Sequence, residues 1–130
     1  RALATSEPGS ASTVAAGASV AFSVATPVSA WQGWNAVAAS GGTAVAIADD
    51  QEILRAQLLL SRTSGTYLEA SSALTIAGLP ALQASAVIDA ESTVVCIGTS
   101  TGLKDVGATA AMLPAVPVIE ASLAALTATF

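Results

Sequence analysis

Histidine is absent from this 130-residue chain, and cysteine occurs once, as Cys96. Without an imidazole, neither a Ser-His-Asp nor a Cys-His catalytic pair can be assembled from these residues. A single thiol excludes an intrachain disulfide, and with no histidine it also excludes a Cys/His zinc site, so no metal centre is expected. Charge is scarce too: charged residues make up 10% of the chain, four basic against nine acidic, for a net charge of -5. No Lys/Arg cluster exists to neutralise phosphates along a backbone, which argues against a nucleic-acid partner. Disorder is excluded from the other side. Hydrophobic residues make up 53% and the mean hydropathy is +0.69, whereas disordered chains pair low hydrophobicity with high net charge. The length suits one domain, or one piece of a larger domain.

Residues 8–48 carry no charged side chain, which invites a membrane reading. That stretch is built from Ala, Ser, Thr, Gly and Val rather than Leu, Ile and Phe; Pro27 interrupts it and no basic flank follows. Membrane insertion rewards Leu-rich runs, so buried globular structure is expected and no membrane partner. A secretory signal is equally poorly matched, since Arg1 is followed by no compact apolar core. Residues 1–12 read as an irregular segment at a truncation point, with the ordered domain occupying 13–130.

Along the chain, helical and strand-like patterns alternate. Residues 12–24 are expected as a helix with Ser12 as N-cap, and 27–39 as a second with Pro27 at its first position. The second places Trp31 and Trp34 on one face, and Ser40-Gly41-Gly42 stops it. Residues 43–48 (TAVAIA) read as a strand covered on both faces. Asp49 opens the clearest helix, with Glu52 at capping-box spacing. In it Ile53, Ala56 and Leu60 form an apolar stripe, with Gln51, Arg55 and Arg62 opposite. Ser64-Gly65 ends that helix, Thr66 to Leu68 are a brief extended piece, and 70–78 form a helix that Pro80 ends or restarts. Residues 93–98 (TVVCIG) read as a second buried strand, with Cys96 as a small buried hydrophobe, and 117–128 as a closing helix. Strands alternating with helices predict an α/β fold with a three-layer, mostly parallel sheet flanked by helices.

The most site-like feature in this pattern is the loop Gly98-Thr99-Ser100-Thr101-Gly102. It leaves the carboxyl end of an expected buried strand, where open α/β sheets place their ligands. It offers hydroxyls and backbone amides but no acid or base, which suits binding a polar ring or an anion and not proton transfer. Glu69 stands at a helix start, where an acid complements the helix dipole, and Lys104 with Asp105 reads as a solvated pair.

Three blocks then stand in order: GGTAVAIADDQEILRAQ (residues 41–57), GTYLEASSA (65–73) and VVCIGTSTGLKD (94–105). Together they resemble the C-terminal part of threonine synthase, a pyridoxal-phosphate enzyme of fold type II, and the likeness spans roughly residues 13–105. The resemblance implies the C-terminal part of the catalytic domain over 13–130, pyridoxal 5'-phosphate as cofactor, O-phosphohomoserine as small-molecule substrate, a cytoplasmic location, and pairing into a homodimer. Thr99 matches the residue whose hydroxyl faces the pyridine nitrogen in that family; a neutral hydroxyl leaves that nitrogen unprotonated, where a carboxylate would hold a proton on it. Glu69, Ser72 and Ser100 match positions near the ring.

The likeness has departures. Ala70 stands where the family pattern has Pro, Ser71 where it has Ala, and Ser100 where it has Gly. Threonine dehydratase and cysteate synthase share much of the same architecture, although the Gly-Leu-Lys-Asp ending at 102–105 favours threonine synthase. A non-catalytic α/β module binding a small anion or a partner protein is the alternative from another class. The cofactor needs a Schiff-base lysine, and the one lysine here is Lys104, in a block where the family has a lysine of structural character. No glycine-rich phosphate loop is evident either. The chain alone is therefore expected to be inactive, with no catalytic residue of its own.

Overall fold

A computed structural model describes residues 12–13, 15, 17–29 and 31–129; the N-terminal segment expected as irregular lies outside them apart from Ser12. Two-residue strands β1 (Ser12–Thr13) and β2 (Val28–Ser29) pair antiparallel, Ser12 opposite Ser29 and Thr13 opposite Val28. Six α-helices follow: α1 (Trp31–Ala39), α2 (Asp50–Ser64), α3 (Ala70–Ala77), α4 (Leu79–Ala84), α5 (Val106–Ala110) and α6 (Leu123–Thr129).

Helix α2 begins where its sequence dictates. The Asp49 carboxylate accepts from the Gln51 N–H at 2.9 Å, satisfying one of the amides a helix start leaves unpaired. The expected capping box does not form: the Asp49 side chain takes the Gln51 rather than the Glu52 N–H, and Glu52 gives only its backbone N–H, to the Asp49 carbonyl at 3.0 Å. Gly65 closes the helix with φ +71° and donates its N–H to the Ser61 carbonyl, the left-handed stop that glycine adopts without steric cost. The apolar stripe is the expected one, widened by Leu54 and Gln57, which are buried with Ile53 and Ala56 while Gln51, Arg55 and Arg62 stay exposed.

That stripe packs on α3. Ala70, Ala73 and Ala77 recur on one face of α3 and all three are buried, Ala73 completely. Methyl-sized side chains let the two helix axes approach closely, since interaxial distance is set by the residues at the contact. Ala21 and Ile53 complete the core, with Val20, Ile47 and Leu74 packed against it. Burying one aliphatic side chain such as Ile53 contributes about 1.5–3 kcal/mol. Pro80 restarts the chain as α4, lying in its first turn where a missing N–H costs nothing.

Several expectations are corrected. Residues 12–24 are not a helix: within the described part they comprise β1 and a 3-10 turn at Phe22–Val24. Gly, Val, Ser and Thr are weak helix formers, and this segment is pinned by side chains instead, Ser19 Oγ donating to Asp50 at 2.7 Å and the Val20 N–H to the same carboxylate at 2.9 Å. Helix α1 starts at Trp31 rather than Pro27, because Val28 and Ser29 are committed to pairing with β1. It stops as expected at Ser40-Gly41-Gly42, with Gly41 at φ +67°. The closing helix is shorter than 117–128, starting only at Leu123.

The three-layer parallel sheet is not formed among the described residues. Segments 43–48 and 93–98 belong to no strand ladder there, and Val95 and Ile97 are 85% and 70% exposed. A strand covered on both faces needs hydrogen-bonding neighbours along its edges, and the described residues supply none to these two. Cys96 is accordingly only half-buried. What these residues build is a helical layer, α2 on α3, with the 98–102 loop seated at the start of α3.

Candidate functional site

Glu69 is the N-cap of α3, in extended conformation, and its backbone joins the loop to the helix. The Glu69 N–H donates to the Ser100 carbonyl at 3.1 Å, while the Glu69 carbonyl accepts from the N–H groups of Ser72 and Ala73, both at 3.0 Å. One residue earlier, Leu68 forms an antiparallel bridge with Thr101, and the Gly102 N–H donates to the Tyr67 carbonyl at 2.9 Å. The extended piece 66–68 thus carries the 98–102 loop as a short ladder.

The helix grips the loop from the other side. Ser72 is 2% exposed, and its Oγ accepts from the backbone N–H groups of Thr99 and Ser100, each at 3.1 Å. The same oxygen lies 2.7 Å from Thr99 Oγ1. Ser72, Thr99 and Ser100, three of the four residues singled out in the sequence, are therefore in direct contact, and Thr99 remains exposed at the surface. The fourth, Glu69, meets them through its backbone only.

The Glu69 side chain turns elsewhere. Its carboxylate, 5% exposed, pairs with Lys104 Nζ at 2.9 Å and accepts from Ser23 Oγ at 3.2 Å. Lys104 Nζ also donates to Ser23 Oγ at 2.8 Å and sits 5.4 Å from the centre of the Phe22 ring, within cation–π range. Lys104 and Glu69 are thus a cross-link between the 22–24 turn, the start of α3 and the end of the loop, not the solvated pair with Asp105 that spacing alone predicts. No side-chain cap on α3 is left to Glu69.

Beneath the ladder lies a buried polar chain that the sequence reading misses. Gln57, 1% exposed, donates from Nε2 to the Leu68 carbonyl at 2.6 Å and accepts at Oε1 from Thr109 Oγ1 at 2.6 Å. Thr109 in turn accepts from the Tyr67 hydroxyl at 2.7 Å. Every member is satisfied, the condition under which a buried polar network rigidifies a fold rather than weakening it. The signal was available: a glutamine four residues after Ile53, on the inward face of α2, has no other reason to be there. Gly102 belongs to the same support. A methyl group at its position would come within 2.5 Å of the Tyr67 ring, so only glycine lets the ring lie against the loop.

The departures from the family pattern have local explanations. Among the described residues the one non-glycine with positive φ is Ala86, so the Ser100 backbone does not require glycine. Ser71 Oγ accepts from the Ser23 N–H at 3.1 Å, a bond that alanine could not make. Ala70 occupies the first position of α3, 2% exposed, where proline's fixed φ is helpful but not needed.

Chemically, this surface presents a hydroxyl on a rigidly held loop, with its neighbouring carboxylate already neutralised. Among the described residues around the loop it brings no free acid or base to that hydroxyl. Among the described residues no three His, Cys, Asp or Glu side chains gather as a metal site, and no helix is long and apolar enough to cross a membrane. Among the described residues the one carboxyl held clearly below its ordinary range is that of Asp89, through hydrogen bonds from the Ser92 hydroxyl and then the Glu91 N–H, and it belongs to an exposed turn outside the site. A separate open groove of about 680 Å³, lined by Leu58, Leu59, Ile76, Pro80 and Met112 among others, includes none of the four site residues.

A loop locked to a helix start, presenting the hydroxyl-bearing Thr99 on its open side, is the class of site these residues define. Comparison with known proteins makes it more specific. The chain is 44% identical over 85 residues to threonine synthase of Methanocaldococcus jannaschii, covering 65% of this chain and 21% of that protein. Threonine synthase of Methanosarcina acetivorans matches at the same identity, length and coverage, and that of Halalkalibacterium halodurans is 48% identical over 56 residues, 43% of this chain and 16% of that protein. No family model matches the chain. The chain is a threonine synthase-like segment. It spans about a fifth of the length of the curated relatives first named.

Proposed function

We propose that this segment forms one wall of the cofactor site in a pyridoxal-phosphate-dependent threonine synthase, which converts O-phosphohomoserine and water into threonine and phosphate. The observation that carries the reading is the hydroxyl of the exposed residue Thr99, held 2.7 Å from the buried Ser72 hydroxyl at the position that matches the family's ring-nitrogen contact. The donor set suits the cofactor. A neutral hydroxyl can donate to an unprotonated pyridine nitrogen without transferring a proton, and the nearest carboxylate, Glu69, is tied to Lys104 and so is not offered to that nitrogen.

When bound, pyridoxal 5'-phosphate supplies an electron sink for carbanions next to the substrate nitrogen. The residues here do the positioning. Thr99 holds the nitrogen edge of the ring, Ser72 and the amides of Thr99 and Ser100 fix the loop that carries it, and Glu69 acts through its backbone to Ser100. Lys104, the chain's one lysine, is engaged by Glu69 and Ser23, which supports assigning the Schiff-base amine and the phosphate loop to the rest of a parent chain. The same reading assigns segments 43–48 and 93–98 to a parallel sheet completed by that parent, of fold type II, in a cytoplasmic enzyme that pairs as a homodimer.

The parent chain containing this segment, incubated with the cofactor and O-phosphohomoserine, is expected to release phosphate and threonine in equal amounts. The 130-residue chain alone is expected to release neither and to form no borohydride-reducible adduct with the cofactor at Lys104. Phosphate release without threonine, or release of a 2-oxo acid instead, overturns the substrate assignment.

A further inference from the structure

We propose that Ser72 is a positioning residue that sets the direction of the Thr99 hydroxyl, so that Thr99 donates outward. A serine hydroxyl has one proton to give and two lone pairs to accept with. At Ser72 Oγ both lone pairs are taken, by the N–H groups of Thr99 and Ser100 at 3.1 Å each. Neither of those groups can do anything but donate. The Ser72 proton therefore has to go out, and Thr99 Oγ1 at 2.7 Å is the acceptor that the described residues provide. The reverse orientation would leave the Ser72 proton without a partner in a residue 2% exposed, and a buried unsatisfied donor is costly.

With Thr99 Oγ1 accepting from Ser72, the Thr99 proton is excluded from that contact. Thr99 is exposed, so its proton points to whatever lies on the open side. Two backbone amides donating into Ser72, and Ser72 donating into Thr99, form a chain polarised in one direction, which strengthens the last donor in the line. An acceptor-only atom, such as an unprotonated ring nitrogen, is what such a donor fits; a second donor in that place, such as a protonated nitrogen, could use only the remaining lone pair of Thr99 Oγ1 and would leave the outward-pointing Thr99 proton without its acceptor. The loop thus favours an unprotonated acceptor through a residue that never touches it. The inference rests on the reading that Thr99 faces the cofactor ring.

The test uses the full parent enzyme loaded with cofactor labelled with nitrogen-15 in the ring, following the ring-nitrogen resonance and the cofactor dissociation constant. Thr99→Val should move the resonance; if it does not, the ring contact itself is wrong, whatever Ser72 does. Given that movement, Ser72→Ala should shift the resonance in the same sense and weaken cofactor binding about 3- to 10-fold. In the Thr99→Val background, Ser72→Ala should change binding by less than about twofold, because its action passes through the missing hydroxyl. Independent, additive effects in the two backgrounds would mean that Ser72 merely braces the loop, and would overturn the inference while leaving the ring contact standing. Ser72→Cys, which keeps a weak donor in the same place, should fold and give an intermediate shift; a shift equal to that of wild type would likewise overturn it.

Discussion

Lys104 and Glu69 stand 2.9 Å apart, the carboxylate buried and the ammonium half-exposed, with 45% of the lysine side chain open to solvent. The asymmetry decides what each substitution does. Lys104→Met strands a buried carboxylate beside Ser23 and is expected to destabilise the parent fold by about 1–3 kcal/mol, below the cost of breaking a fully buried pair because solvent still reaches the lysine end. Glu69→Gln leaves the ammonium free to turn to water and should cost less. Combining the two should cost less than their sum, read from urea midpoints of the single and double variants.

Thr99→Val nearly keeps the side-chain volume and deletes the hydroxyl. In the parent enzyme it is expected to lower turnover roughly tenfold, the kinetic equivalent of one neutral hydrogen bond of about 1.4 kcal/mol. Thr99→Asp should be worse, since a carboxylate in that place would hold a proton on the ring nitrogen. Steady-state kinetics with O-phosphohomoserine, together with the cofactor absorbance spectrum, check both. Equal activity of Thr99→Asp and wild type would remove the nitrogen contact from the mechanism.

Gly102→Ala places a methyl group within 2.5 Å of the Tyr67 ring atoms. The ring cannot move freely, because its hydroxyl is bonded to Thr109 at 2.7 Å. The expected loss is about 1–3 kcal/mol, as for overpacking elsewhere, seen as a lowered urea midpoint at unchanged slope.

Gln57→Leu keeps the bulk of the side chain and removes both of its bonds. The Leu68 carbonyl and the Thr109 hydroxyl lose partners in the interior, each worth about 1–3 kcal/mol when left unsatisfied. Amide exchange at Gly102, bonded to Tyr67 in the adjacent ladder, should accelerate in this variant more than exchange in the first turn of α2.

The Asp89 turn should respond to acid. Hydrogen bonds from Ser92 and Glu91 hold its carboxyl below the ordinary range, so the folded state binds a proton there less readily than the unfolded chain. Stability from this turn is present above the ordinary carboxylate pKa and is lost as pH falls through the lowered value. Carbon-13 titration of the Asp89 carboxyl should give a midpoint below that of a free aspartate; an unshifted midpoint would mean that the turn is open in solution.

Local signals in this sequence were legible where the chain itself decides the outcome. Asp49 and Gly65 bound α2, Pro80 restarts the chain, and the stripe through Ile53, Ala56 and Leu60 faces inward, because capping and periodicity act within a few residues. The sheet was a different matter. Residues 43–48 and 93–98 have the composition of buried strands, but a ladder is a property of two segments, and no described residue pairs with either. The helix expected over 12–24 failed for a related reason: Ser19, Val20 and Ser23 bond to Asp50, Ser71 and Glu69 across the fold, and such tertiary partners override weak propensity. At the site, the resemblance brought Ser72, Thr99 and Ser100 to notice, but nothing in the sequence disclosed that Glu69 would turn to Lys104, and only the inward place of Gln57 on α2 hinted at a buried network beneath the ladder.

The 98–102 loop is fastened by Ser72 under Thr99 and Ser100, by the Glu69 amide at Ser100, and by Tyr67 at Gly102. All of these anchors lie on the side facing the protein. Whatever docks on the open side meets a surface whose shape is already frozen, so its association carries little entropy penalty for ordering the receptor. The ordering part of the entropy change on ligand binding should therefore be small at this wall, and any large disorder-to-order signature would have to arise in other parts of the parent enzyme.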